Sequence, residues 1–466
     1  MGRTPFRRLE VLVDAPVVDD LNPAPWRPEL LVAGFLGHNL ITCLRYADDG
    51  PPASAPREQV ATAGEVVPGW AVLVPVEPAK GVWHVRSGGA KHLGITGIMG
   101  NRTQVAAEDK RTNAYRDVAP AAAAERRTRD ALAAQVADAL SADVFVTDRP
   151  YLHAVEWQLA RGITILDAAR ALSLISLYLR SQGVYLINRA PDGSATLELN
   201  RGLFFWVGAL ELLPAAWRWF NGCGQYAKAQ GDDALQLLAQ SALMRVSRAL
   251  QVRDRLHVAL NQPQNNDIAD DALSALDLIL MLLMGAFDAT ARVVHHILGI
   301  SGSSHNAGWQ HSAWLKKVAK ASPNLGQLLA VGSAEANAVT ILTILRNSVH
   351  GEALQPLAAR KGAKPQQTLV GVPTEKAKDL LAAVAELGGM ESWGLEELIP
   401  GRFHADPGIL LERLLPLLVN VMNAIMKRTP VDSLSGVHLE PASLLPPATE
   451  PFDERTRLSI RWQLGF

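Results

Sequence analysis

Cysteine is scarce in this chain of 466 residues, where Cys43 and Cys223 are the only two. Two thiols exclude a disulfide framework and a cysteine-rich zinc site, and they suit a reducing compartment, so the cytoplasm is the expected address. An excess of one charge is missing too. With 45 Lys and Arg against 46 Asp and Glu the net charge is -1, so no whole-molecule field draws nucleic acid and any RNA contact has to be local. Long uninterrupted apolar runs are also lacking. Residues 202–220 are broken by Glu211, Pro214 and Arg218. Residues 278–287 fall far short of the ~20 a membrane span needs. Both stretches read as buried helices, and no membrane partner is expected. Residues 1–13 are basic without an apolar core and cleavage site, so no secretory signal is expected. There is no repeat of solenoid period and no long low-complexity block.

What is present is enough apolar material for packed cores. Hydrophobic residues make up 48% and charged residues 20%, and the length exceeds what one core usually sustains, so several domains are expected. Leu9–Val13, Trp70–Val76, Val82–Val85, Asp143–Val146 and Ile163–Leu166 have the apolar runs of strands, while Ala121–Leu140 and Asp167–Gln182 read as helices. Alternating helices and strands predict an α/β domain with a parallel sheet over residues 1–183. A hairpin signal at Pro191-Asp192-Gly193-Ser194 and an aromatic helix, Leu203–Phe220, form an expected connector over 184–231. From 232 to 428 the periodicity is helical, which predicts an all-α bundle. The tail, 429–466, ends in an alternating segment, Arg457–Leu464, that reads as a lone strand able to return to the first domain.

The acids of the first part have a pattern. Asp14 ends the first strand, Asp130 lies within the helix Ala121–Leu140, and Asp143 and Asp148 flank the strand Val144–Val146. In α/β sheets, functional groups gather at strand carboxyl ends. Together with Gly162-Ile163-Thr164-Ile165-Leu166 and its following helix, these residues resemble the PIN-domain nucleases. That resemblance implies a metal centre in which Asp14, Asp130, Asp143 and Asp148 hold Mg2+ or Mn2+ for phosphodiester hydrolysis; hard divalent ions do need converging oxygen ligands. Asp148 follows Thr147 directly, where the family has a residue between them, and the family's second acid has no assigned counterpart. The plainer reading makes Asp14 a turn residue and Asp130 a solvated helix acid.

The second part carries a different constellation. Ile341-Leu342-Thr343-Ile344-Leu345 leads into Arg346-Asn347-Ser348-Val349-His350-Gly351. At 3.6 residues per turn, Arg346 and His350 fall on nearly one face with Asn347 beside them. Imidazole can move a proton near neutral pH, and guanidinium can hold an anionic phosphorane in its fork of donors. This motif and the amphipathic helix 276–298 resemble the HEPN superfamily. The resemblance implies metal-free RNA cleavage at a homodimer interface, with His350 as acid or base, Arg346 stabilising the pentavalent phosphate and Asn347 positioning, and no cofactor. Three residues separate Arg346 from His350, where the family has four to six. Asp288 and Arg292, four apart, form an expected intrahelical pair that could support the site. A helix cap explains His350-Gly351 equally simply.

Three functions therefore stay open: an endoribonuclease using Arg346 and His350, a metal-dependent nuclease using the acidic residues, and an inactive sensor or scaffold that binds RNA or nucleotide. Other signals read as structural. Arg126, Arg127 and Arg129 suit a solvated helix face, Ser87–Lys91 a flexible turn, and the Trp and Phe residues of 204–220 an interdomain core. His295, His305 and His311 lack metal-ligand spacing, and Cys223 has no acid-base neighbour in sequence.

Overall fold

The computed structural model describes residues 7–19, 26–48, 69–77, 82–88, 94–99, 101–109, 112–154, 163–189, 195–348, 351–360 and 366–466. The chain divides into two compact units: Met1–Leu199 with Leu458–Phe466, and Asn200–Arg457. The division falls after an antiparallel hairpin of Leu186–Asn188 and Thr196–Glu198. That hairpin therefore belongs to the first unit and the aromatic helices to the second, in place of a separate connector over 184–231.

The first unit runs β1 (Leu9–Asp14), α1 (Ala15–Asp19), α2 (Pro28–Phe35), β2 (Ile41–Ala47), β3 (Gly69–Glu77), β4 (Val82–Gly88), β5 (Gly94–Met99), α3 (Asn101–Glu108), α4 (Pro120–Ala139), β6 (Val144–Val146), α5 (Pro150–Ala154), β7 (Thr164–Leu166), α6 (Ala168–Ser181), β8 (Leu186–Asn188) and β9 (Thr196–Glu198). The first seven strands form one sheet in the order β5-β4-β3-β2-β1-β6-β7. Strands β3, β2, β1, β6 and β7 are parallel, and β4 and β5 extend the sheet antiparallel. The unbroken apolar run of β1 explains its central place, because a parallel strand covered on both faces needs apolar side chains in both directions. Val11, Val13, Val144 and Val146 pack with α2 and α6 residues such as Phe35 and Ile175. Leu12 and Phe145 point the other way, into a core with Val136 of α4. Helices thus cover both faces.

The second unit holds α7 (Arg201–Leu212), α8 (Ala216–Gln230), α9 (Ala234–Leu260), α10 (Asn266–Ile297), α11 (Ser312–Ala321), α12 (Pro323–Leu328), α13 (Ala334–Asn347), β10 (Gln355–Arg360), β11 (Gln366–Gly371), α14 (Ala377–Glu386), β12 (Leu395–Ile399), β13 (Arg402–Ala405) and α15 (Pro407–Arg428); α16 (Glu454–Gln463) crosses the division. Helices α9 and α10 form a long hairpin. Pro214, which cannot continue a helical ladder, separates the aromatic segment into α7 and α8. Their aromatic residues pack within the unit: Trp219 donates to the Met426 carbonyl at 3.0 Å, and Trp217 meets Phe452 edge-on at 5.5 Å.

Two expectations need correction. The second unit is not all helical, since β10, β11, β13 and β12 form an antiparallel sheet in that order. The tail segment is a helix, α16, rather than a strand. Its alternation also places Ile460 and Leu464 four apart, and both are buried, so tertiary packing selects the helical period. Residues 458–466 do join the first unit, where Gln463 donates to the Leu186 carbonyl and accepts from Arg180 through its own. Segments 266–297 and 407–433 are long and apolar enough to cross a membrane by length and composition, and just over half of each apolar window is buried within the fold.

Candidate functional site

The sheet order places a natural opening between β1 and β6. From β1 the chain winds outward through β2 and β3, then returns to build β6 and β7 on the other side. Loops at the carboxyl ends of such neighbouring strands diverge and leave a crevice. Asp14 is the last residue of β1, Thr147 follows β6, Asp48 follows β2, and Asp130 reaches in from the buried side of α4. A cleft of about 370 Å³ opens there, lined among others by Asp14, Asp48, Tyr115, Asp130, Asp148 and Arg149.

At its centre is Arg149, placed by the turn into α5. Its Nε donates to Asp14 Oδ2 at 2.7 Å and its Nη2 to Asp14 Oδ1 at 3.0 Å, a two-pronged grip. Nη2 also reaches Asp48 Oδ2 at 3.1 Å, and Nη1 reaches Asp130 Oδ1 at 3.5 Å. The hydroxyl of Thr147 donates to Asp14 and accepts from the Arg149 amide at 3.2 Å. Tyr46 donates to Asp48 at 2.9 Å, and the guanidinium carbon lies 5.5 Å from its ring centre. Asp14 and Asp130 are buried, with side chains 5% and 4% exposed. Unpaired charges there would be costly, and the planar fork of arginine can satisfy several carboxylates at once.

Burial, with a smaller contribution from the charge of Asp14, holds the Asp130 carboxyl up at about 6 against the hydrogen bond from Tyr115, the charge of Arg149 and the hydrogen bond from the Tyr151 amide, which lower it. For Arg149, burial works against the charged form, but the bonds to Asp14 and the charges of Asp14 and Asp48 outweigh it, and the guanidinium is held charged more firmly than usual. Tyr115 donates to Asp130 at 2.9 Å and has a left-handed backbone, φ 62. That region is strained for a bulky residue, and strain of this kind collects at functional sites. The Arg126 guanidinium sits 5.5 Å above the Tyr115 ring.

This arrangement does not fit the expected Mg2+ or Mn2+ centre. A divalent ion needs oxygen ligands at roughly 2.0–2.6 Å, and the point where Asp14, Asp48 and Asp130 converge is occupied by a guanidinium. Among the described residues no group of three metal-ligating side chains has metal-binding geometry. Asp143 is not part of the cluster either. It stands at the amino end of β6, at the opposite end of the strands, paired with Arg7 at 2.6 Å and accepting from the Glu10 amide at 2.9 Å. Asp148 lies on the cleft rim; partial burial, then the negative charges of Glu29 and Asp167, raise its carboxyl.

Sequence reasoning missed Asp48, Tyr115 and Arg149. Asp48 could have been found by the rule that identified Asp14, an acid at a strand's carboxyl end. Arg149 stands two residues after Thr147, where the PIN resemblance calls for an acid. The basic cluster of α4 is also divided. Arg126 and Arg129 are exposed at the cleft rim, whereas Arg127 is not a solvated side chain but donates to the carbonyls of Ala106 and Ala107 at 2.9 and 2.7 Å.

In the second unit, Arg346 and Asn347 end α13, and Arg346 Nη1 donates to Asn347 Oδ1 at 3.1 Å. His350 lies outside the described residues, as do Lys91 and His92. Among the described residues no ion pair joins Asp288 to Arg292 and no hydrogen bond joins either to Arg346; Asp288 instead accepts from Gln310 at 3.4 Å. Compared with family models, curated proteins and solved structures, the chain gives no match to any of the three.

Proposed function

We propose that this protein is a non-cleaving RNA-binding sensor or scaffold, with a PIN-like first unit whose acidic centre is neutralised from within and a HEPN-like second unit. The observation that carries the reading is the bridging of Asp14, Asp48 and Asp130 by Arg149. A nuclease of this type works by presenting free carboxylates to a divalent ion beside the scissile phosphate. Here those carboxylates already have a permanent cation, fixed by the chain itself. The cleft keeps its position at the switch point, and the exposed Arg126 on its rim offers a guanidinium for phosphate contact, with Arg129 beside it paired to Glu125 at 2.7 Å.

The test is binding and cleavage of labelled single-stranded RNA by the full chain. Retention of RNA without cleavage in Mg2+, weakened about tenfold or more by Arg126→Glu with Arg129→Glu, is the expected result. Cleavage that depends on Mg2+ and disappears in Asp14→Asn would overturn it.

One observation favours a second reading. The Arg346 guanidinium is only partly buried and is braced by Asn347 at the end of α13, a pose suited to a phosphate. Under that reading the second unit cleaves RNA without metal, Arg346 stabilising the phosphorane and His350 moving the proton, with two copies meeting. Cleavage that persists in EDTA, leaves a cyclic phosphate and is lost in both Arg346→Ala and His350→Ala would select it over the first.

A further inference from the structure

A second cleft, of about 450 Å³, lies wholly within the helical unit, between the carboxyl end of α10, the loop that follows it and the start of α11. Its lining includes His295, His305, Asn306, His311, Trp314 and Lys317, and no acidic residue lines it among the described residues. A cleft with a lysine, histidines and serine hydroxyls, and without a carboxylate, has one preferred guest by charge: an oxyanion.

Its wall is rigid for identifiable reasons. His295 is buried, 7% exposed. Its Nδ1 accepts from Trp314 Nε1 at 3.2 Å, so the proton of the neutral ring is on Nε2, which donates to the Gly302 carbonyl at 3.1 Å. One imidazole therefore ties α10 to α11 and to the loop at once. Trp314 also packs edge-on against Trp309 at 4.9 Å, and Trp309 donates to Thr290 at 2.8 Å. Lys317 Nζ donates to the Ser301 carbonyl at 3.1 Å; an ammonium has three donors, so this bond aims the group while leaving others for a ligand. His311, the residue before α11, makes no capping bond. The amides of Ser312 and Ala313 that open α11 are thus without a side-chain cap, while that of Trp314 donates to the His311 carbonyl at 3.0 Å, and Ala313 lines the cleft one turn before Lys317.

We propose that this cleft binds a phosphomonoester, with Lys317, His311 and the first turn of α11 at the phosphate and the wall at Trp314 against the organic part. The site is independent of the RNA-binding cleft. It lies in the other unit and would stand if that reading failed.

The test is calorimetric titration of the full chain with AMP, adenosine and inorganic phosphate, repeated with Lys317→Ala, His311→Ala and, as a control on the same helix, Lys316→Ala. Lys317 and His311 are exposed, so these variants should fold, and a circular dichroism melt checks that they do. AMP is expected to bind more tightly than either fragment, to lose about tenfold in affinity in Lys317→Ala and His311→Ala, and to be unaffected by Lys316→Ala. Because the readout is loss on changing Lys317, AMP held in the first unit would not mimic it. No AMP binding at millimolar concentration, equal binding of adenosine, inorganic phosphate binding as tightly as AMP, or an unchanged Lys317→Ala would each overturn the proposal.

Discussion

Arg149 holds Asp14 with two parallel hydrogen bonds, 2.7 and 3.0 Å, across 135 residues of sequence. The pair joins the carboxyl ends of β1 and β6, and it makes the place where a metal centre was expected into an internally compensated charge cluster.

Removing the guanidinium leaves Asp14 and Asp130 buried without their countercharge. Arg149→Ala should destabilise the first unit by about 3 kcal/mol, the lower end for breaking a buried pair because Asp48 stays partly hydrated. Urea unfolding at pH 7 followed by far-ultraviolet circular dichroism measures this, and a loss under about 1 kcal/mol would show that the cluster is not held as described.

Asp130 should titrate near pH 6 in the folded chain. Its ordinary value is 3.8, so the folded state binds the proton more tightly than the unfolded state. The contribution of this group to stability is therefore greatest at low pH, and falls as pH rises from about 4 to about 6. Carbon-13 NMR of the carboxyl gives the midpoint directly. Tyr115→Phe removes a donor that favours the carboxylate, so the midpoint should move above 6; an unmoved midpoint would contradict the Tyr115 bond.

Glu412 behaves in the opposite sense. Arg253 grips it at 2.7 Å through two nitrogens and His257 at 2.8 Å, and these partners hold the carboxyl down at about 2 against the burial that would raise it. Its stabilisation is full above about 4.5 and is lost as pH falls toward 2. Glu412 keeps 38% of its side chain exposed, so water screens part of the pair, and Glu412→Gln should cost about 1–2 kcal/mol at pH 7. Denaturation at pH 7 and pH 3 tests this, since the gap between wild type and variant should narrow at the lower pH.

Trp314→Phe keeps the aromatic packing with Trp309 but removes the donor to His295 Nδ1. A loss of about 1 kcal/mol is expected. A shift of the Gly302 carbonyl carbon in carbon-13 NMR should accompany it, because the imidazole that donates to that carbonyl loses one of its two anchors. An unshifted carbonyl there would contradict the assigned role of His295.

Much of this architecture could be read from the sequence because it depends on short-range periodicity. The apolar run of β1 marked a strand, and α4, α9, α10 and α15 followed from residues spaced by one turn. Asp14 and Asp130 were found because each carries a local signal, a strand end and a helix position. Arg149 carries none: its meaning comes from partners 135, 101 and 19 residues away, and spacing arguments do not reach across elements. Asp143 was grouped with the wrong end of the sheet because β6 is only three residues long and has an acid on either side. The strands β10 to β13 and the helical tail were missed for a related reason. Segments this short fit more than one period, and packing decides between them.

The most direct test of the internal arginine is whether the cleft takes up a divalent ion. Mn2+ titration followed by electron paramagnetic resonance should show no site in the wild-type chain that is lost in Asp14→Asn. A stoichiometric Mn2+ site that Asp14→Asn abolishes would mean that Arg149 yields its place to metal, and the account would be wrong at its centre.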